Sequence, residues 1–151
     1  MAKKDIPVDL TSMEMYQAGL VGLARRIDSM RRNLSNTTGV INSWNIDIEG
    51  ALGEMALAKA LNLYAGLPIN NYKEADIGPY HVRTTEYDDG CLILRKEDKL
   101  DCRYVLITGK NGKYMVRGQI EGYAGTNPAY WRDPNGRPGA YFVPQSALEG
   151  L

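Results

Sequence analysis

Four side chains in the middle of the chain have types and spacing that suit phosphate chemistry: Glu54, Asp76, His81 and Arg83. Two carboxylates carried by different elements can converge on one divalent cation, which polarises a phosphate and lowers the pKa of a bound water. A guanidinium beside them stabilises charge on the phosphate. The donor set is unusual. A neutral imidazole such as that of His81 suits a transition metal better than Mg²⁺, which prefers oxygen. Arg83 can bind phosphate through two parallel hydrogen bonds, but its pKa above about 12 prevents it from shuttling a proton. Asp47 or Glu49 can supply a further carboxylate, because Asp47 and Glu54 are two helical turns apart and share a face.

Two helices and a run of strands must position these groups. Thr11 and Glu14 form the T-x-x-E capping box that opens a helix. Tyr16, Leu20, Leu23, Ile27, Met30 and Leu34 then recur at spacings of three and four, predicting one apolar face. Arg25, Arg26, Arg31 and Arg32 fall opposite and read as a solvated face, with Ser35 to Gly39 as a loop. A second helix is predicted from around Ser43 to Asp47 as far as about Leu63, with Ile48, Leu52, Met55, Ala56 and Lys59 in helical period. It contains Gly50 and Gly53, and a glycine in a helix interior costs about 1 kcal/mol relative to alanine. Such a pair implies either a very close neighbour or backbone approach to a ligand.

From Gly66 onward Pro, Asn and Gly punctuate short segments. Strands are predicted at 81–85, 91–95, 104–108, 113–121 and 140–144, with Asp88-Asp89-Gly90 as a turn and Lys110-Asn111-Gly112 as a hairpin turn. Residues 125–139 read as a long loop anchored by Tyr130, Trp131, Arg132 and Arg137. Two N-terminal helices packed on a mixed, mostly antiparallel sheet define an α+β class.

The stretch Gly53-Glu54-x-Ala-x-Ala-Lys59, then Ala75-Asp76-Ile77-Gly78, then the strand from Tyr80 to Thr85 resembles the core of the PD-(D/E)XK nuclease superfamily over residues 48–108. The resemblance implies a restriction-endonuclease-like core, with Glu54 as the helix carboxylate and Asp76 as the metal-binding Asp. Its E-x-K position falls on His81-Val82-Arg83, so the strand Glu and Lys are both replaced. On this pattern Glu54, Asp76, His81 and Arg83 are the candidate catalytic residues. Glu54 and Asp76 would hold Mg or Mn, while Arg83, Thr84, Arg95 and Arg132 would contact nucleic acid. Downstream, G-x-L-I-x-R, D-x-x-Y-V-L-x-x-G and Y-F-V-P-Q resemble small bacteriophage proteins, which implies a host-cytoplasmic location. Two functions follow as expectations. One is a metal-dependent endonuclease. The other is a nuclease-fold protein without the chemistry, which binds nucleic acid or inhibits a host protein.

Plain structural readings stand beside each of these. Asp76 suits a turn, His81 a half-buried strand position, and Arg83 an ion pair with Glu54 or Asp76; Thr84 is an ordinary strand former, and Tyr130 and Trp131 suit packing of the long loop. Asp98 and Asp101 read as solvated turn residues. The chain has 151 residues and fits one domain, residues 1–151, with residues 1–10 expected to be flexible. Eighteen basic and eighteen acidic residues cancel, which gives no support for strong non-specific binding to nucleic acid but leaves room for a local basic stripe. Cys91 and Cys102 form no metal motif, and with His81 as the single histidine the sequence argues strongly against a structural zinc site. Reduced thiols, no apolar leader and no long apolar stretch place the expected location in the cytoplasm, away from membranes. The long apolar face of the first helix also fits a homodimer.

Overall fold

The computed structural model describes residues 2–32, 43–69 and 75–151. The predicted loop at 35–39, together with Leu34, Asn70 and Asn71, lies outside these residues. The element order is β1 (Ile6–Asp9), α1 (Ser12–Arg31), α2 (Ser43–Leu61), β2 (Tyr80–Thr85), β3 (Leu92–Leu94), β4 (Arg103–Lys110), β5 (Lys113–Glu121), α3 (Gly122–Gly125), β6 (Trp131–Arg132) and β7 (Ala140–Val143). The α+β class holds. The arrangement differs from the expected one in three ways: a strand precedes the helices, a short third helix follows β5, and the strands divide into two sheets.

The main sheet has the order β1-β5-β4-β2, with β2 parallel to β4 and the other pairs antiparallel. The second sheet has the order β3-β7-β6 and is antiparallel throughout. Central strand β4 is buried on both faces, which explains its unbroken run Tyr104-Val105-Leu106-Ile107. Val105 and Ile107 face one core with Val82, Val116 and α2, while Tyr104 and Leu106 face another with Leu92, Leu94, Ile120 and Val143. The molecule is thus layered as α1, α2, main sheet, second sheet.

Local chemistry sets the joints. Asn111 (φ 57°) and Gly112 (φ 91°) make the two-residue turn of the β4–β5 hairpin, the backbone combination that matches strand twist. The register between β4 and β5 shifts at Leu106/Ile107, and Arg117 is the extra residue of this bulge. Its guanidinium bonds Thr108 Oγ1 at 2.8 Å, Asp5 at 3.1 Å and Asp88. Residues 6–9, within the segment expected to be flexible, are an edge strand paired with residues 113–116 of β5. Lys3 and Leu151 exchange backbone hydrogen bonds at 2.9 Å.

The first helix starts as expected, with both bonds of the Thr11/Glu14 capping box present. Its orientation is the reverse of the predicted one. Tyr16, Leu20, Leu23, Ile27 and Met30 face solvent, whereas Ala18, Gly22 and Arg26 are buried against α2. Gly22 decides this. A Cβ there would lie 2.6 Å from the carbonyl oxygen of Asp47 and 2.5 Å from Ile48 Cα, so only glycine permits the α1–α2 crossing. Helix α2 is buried continuously from Ala51 to Ala58, as expected for a helix covered on two sides. On its other side Gly53 abuts the side chain of Thr84 in β2.

Gly22→Ala should therefore lower unfolding free energy by about 1–3 kcal/mol, since the obstructing atoms are backbone. Gly19→Ala, where an added Cβ meets nothing within 4 Å, should raise it by up to about 1 kcal/mol through helix propensity. Urea denaturation of both variants measures the two opposite signs.

Candidate functional site

The expected site residues divide into two groups. Glu54, Arg83, Thr84, Arg95 and Arg132 line a single open cleft of about 1380 Å³. Asp76 and His81 are not among its lining residues. One wall of the cleft is the first half of α2, presenting Asn45, Glu49 and Gly50. Its floor is the run from Val82 to Tyr87, at the outer edge of the main sheet, and the far wall is the β6–β7 connection around Arg132 and Arg137. Gly50 has open space where a side chain would be, so the two glycines of α2 do different things. Gly53 admits a strand, and Gly50 leaves the cleft wall bare.

Glu54 is buried, and its partner is Arg25. The guanidinium donates to both carboxylate oxygens, Nη1 to Oε2 at 2.6 Å and Nη2 to Oε1 at 3.0 Å, while its Nε donates to the carbonyl of Pro68 at 2.8 Å. Burial pushes the Glu54 carboxyl up; the Arg25 bonds oppose this, and the nearby charge of Asp76 adds to it. Asp76 sits in the turn closed by the Ile77–Tyr80 bridge, and its Oδ2 accepts from the backbone N–H of Val82 at 2.7 Å. It therefore fastens the turn to the start of β2.

Arg83 pairs with neither expected carboxylate. It donates to Asp98 Oδ1 at 2.9 Å and lies 5.1 Å above the Tyr104 ring. Asp98, expected to be solvated, also accepts from the Arg95 backbone N–H at 2.7 Å, so it holds two cleft residues in place. His81 stacks on Tyr104 at 5.2 Å between ring centroids. Burial pushes its pKa below the usual histidine range, with Asp76 opposing and Arg83 and Lys99 assisting. Thr84 Oγ1 is buried with no hydrogen-bond partner among the described residues.

Both oxygens of Glu54 are taken by a guanidinium, and no cluster of three or more Asp, Glu, His or Cys side chains suited to a metal occurs among the described residues. Glu49, the alternative carboxylate, accepts from the Tyr114 hydroxyl at 2.5 Å and from the Asn111 N–H at 3.2 Å. Asp47 pairs with buried Arg26 at 3.4 Å.

Cations are what the cleft gathers. Arg83, Arg95, Lys110, Arg132 and Arg137 come to it from separate segments. Arg95, Arg132 and Arg137 have no ion pair among the described residues, and Arg132 lies 5.6 Å above the Phe142 ring. Lys110 and Arg137 were not singled out as contacts in the sequence. Lys110 follows from the hairpin turn that carries it, but nothing local to Arg137 marks its convergence with β2.

No family model, curated protein or solved structure matches the chain. The likeness to the PD-(D/E)XK core therefore rests on the order of Glu54, Asp76 and β2 alone. No helix among the described residues is long and apolar enough to cross a membrane.

Arg25→Ala would strand the Glu54 carboxylate in its buried site and should destabilise the fold by about 3–5 kcal/mol. Replacing both residues with apolar ones of similar volume, Arg25→Met with Glu54→Leu, should recover most of that loss in denaturant melts. Tyr104 supplies a pH test. It is buried and donates to the Lys99 carbonyl at 2.8 Å, and burial pushes its hydroxyl up to about 12. A folded pKa above the unfolded value of about 10 contributes stability that is intact below pH 10 and lost as pH rises through 12. Tyr104→Phe should flatten the stability profile across that alkaline window.

Proposed function

We propose that the cleft binds the phosphate backbone of a nucleic acid and that the chain acts as a nuclease-like binding protein rather than a cutter. The observation that carries this reading is the convergence of Arg83, Arg95, Lys110, Arg132 and Arg137 on one cleft in a chain of zero net charge. Three of the four carboxylates beside them are engaged, Glu54 by Arg25, Glu49 by Tyr114 and Asn111, and Glu86 by Lys110 at 3.9 Å, while Asp133 has no ion pair among the described residues. What remains unpaired on the lining is mainly guanidinium, which binds phosphate through two parallel bonds. Phe142 and Tyr87 border the same space and offer faces on which a base can stack. The Arg25–Glu54 pair argues against cleavage, because the helix carboxylate on which metal chemistry would depend is already neutralised.

Fluorescence anisotropy with labelled single-stranded and duplex oligonucleotides tests this reading. Affinity should fall steeply with salt. Arg95→Ala and Arg132→Ala should each reduce the slope of log affinity against log salt by about one phosphate contact, uniformly across sequences. Arg103→Ala, outside the cleft and paired with Glu121, should leave the slope unchanged. Absence of binding, or binding indifferent to salt and to the cleft arginines, would overturn the reading and favour a protein partner such as a host factor. Nicking of the same oligonucleotides with Mg²⁺ or Mn²⁺, lost in Asp76→Ala, would replace it with the phosphodiesterase reading.

A further inference from the structure

The outward face of α1 is the largest feature that the cleft leaves unexplained. Met13, Tyr16, Leu20, Leu23, Ile27 and Met30 are between 37% and 67% exposed. They recur at alternating spacings of three and four along a 20-residue helix, the 3.5-residue period of a coiled-coil seam. An apolar stripe that covers its own core faces inward; this one faces out. The inward face of the same helix is small, built on Ala18 and Gly22 with the two arginines Arg25 and Arg26.

We infer that α1 is the interface of a homodimer in which two copies of the helix pack antiparallel about a two-fold axis. The pattern is self-complementary. Centring the axis beside Val21 and Gly22 sets Leu20 of one copy against Leu23 of the other, Tyr16 against Ile27, and Met13 against Met30. Each of the six residues then meets another apolar residue, which is what an isologous interface requires. Charge selects the direction. Glu14 lies in the first turn of the helix and Arg31 in the last. A parallel pairing would bring the two Arg31 side chains together, whereas the antiparallel one separates them and opposes the two helix dipoles. The open surround of Gly19 lets a second helix approach closely beside the seam. The six side chains leave on the order of 500 Å² in water per copy, so pairing would bury on the order of 1,000 Å², the size at which a specific interface becomes stable.

Sedimentation equilibrium of the full chain tests the inference. The wild type should be dimeric in the micromolar range, and Leu20→Glu should raise the dissociation constant at least ~30-fold, as expected at the centre of an interface. Circular dichroism should show Leu20→Glu still folded, because the residue is exposed in the monomer. Leu23→Lys is the second variant. Each should be monomeric alone, and a mixture of the two should recover dimer, since the antiparallel axis places residue 20 opposite residue 23. A monomeric wild type, or a dimer that Leu20→Glu leaves intact, would overturn the interface. Failure of the mixture to associate would overturn the antiparallel register.

Discussion

The architecture depends on how closely α2 can be approached from both sides. At Gly22 the backbone of α1 reaches the carbonyl of Asp47, and at Gly53 the backbone of α2 reaches Thr84 of β2. Each glycine gives up helix propensity for contact distances that no other residue allows. The consequence is a helix buried along its whole middle, and everything around it is placed by that sandwich. Because α1 must turn its narrowest face inward, Arg25 and Arg26 point at α2 and its large apolar residues point away. Because β2 is drawn tightly to α2, Arg83 and Thr85 are left beside the cleft.

The Arg25–Glu54 pair follows directly from this geometry. A buried carboxylate faces a desolvation cost of several kcal/mol, which is offset only by a well-formed partner with further hydrogen bonds. Arg25 provides two bonds to the carboxylate and anchors its own Nε on Pro68. Asp76 lies close enough to push Glu54 up, but its oxygen is committed to the Val82 N–H. Glu54 and Asp76, the two carboxylates that resemble a metal centre in sequence, thus carry structural bonds: Glu54 ties α2 to Arg25 of α1, and Asp76 ties its turn to the start of β2. Charged side chains without an ion pair among the described residues lie further along the cleft: Arg95, Arg132, Arg137 and Asp133.

Much of the strand content was legible in the sequence. The bounds 113–121 were met in full, the Asn111-Gly112 turn was explicit, and the capping box fixed the start of α1. These features are local: alternation, turn chemistry and end-capping act over a few residues. The orientation of α1 was not legible from its apolar period, because a stripe of spacing three and four is equally a core face and a seam. The discriminating signal was the small-residue pair Ala18 and Gly22, four apart, which marks the side of closest approach. The division into two sheets was equally hidden. Leu92, Leu94 and Val143 read as strands anywhere, and only the two-faced burial of β4 requires a second layer to cover Tyr104 and Leu106.

The candidate site shows the same limit. Glu54, Arg83, Thr84, Arg95 and Arg132 share one cleft, although they are spread over most of the chain, because a helix, an edge strand and a hairpin loop meet there. Sequence order could not show which cation neutralises which anion. That depends on Arg25, which the helical wheel assigned to solvent and the Gly22 crossing turned inward. Once α1 is reversed, two properties change together. Glu54 of α2 acquires an internal counter-ion, and a continuous apolar stripe is left on the outside. A single glycine contact thus ties the electrostatic character of the cleft to the surface that α1 presents.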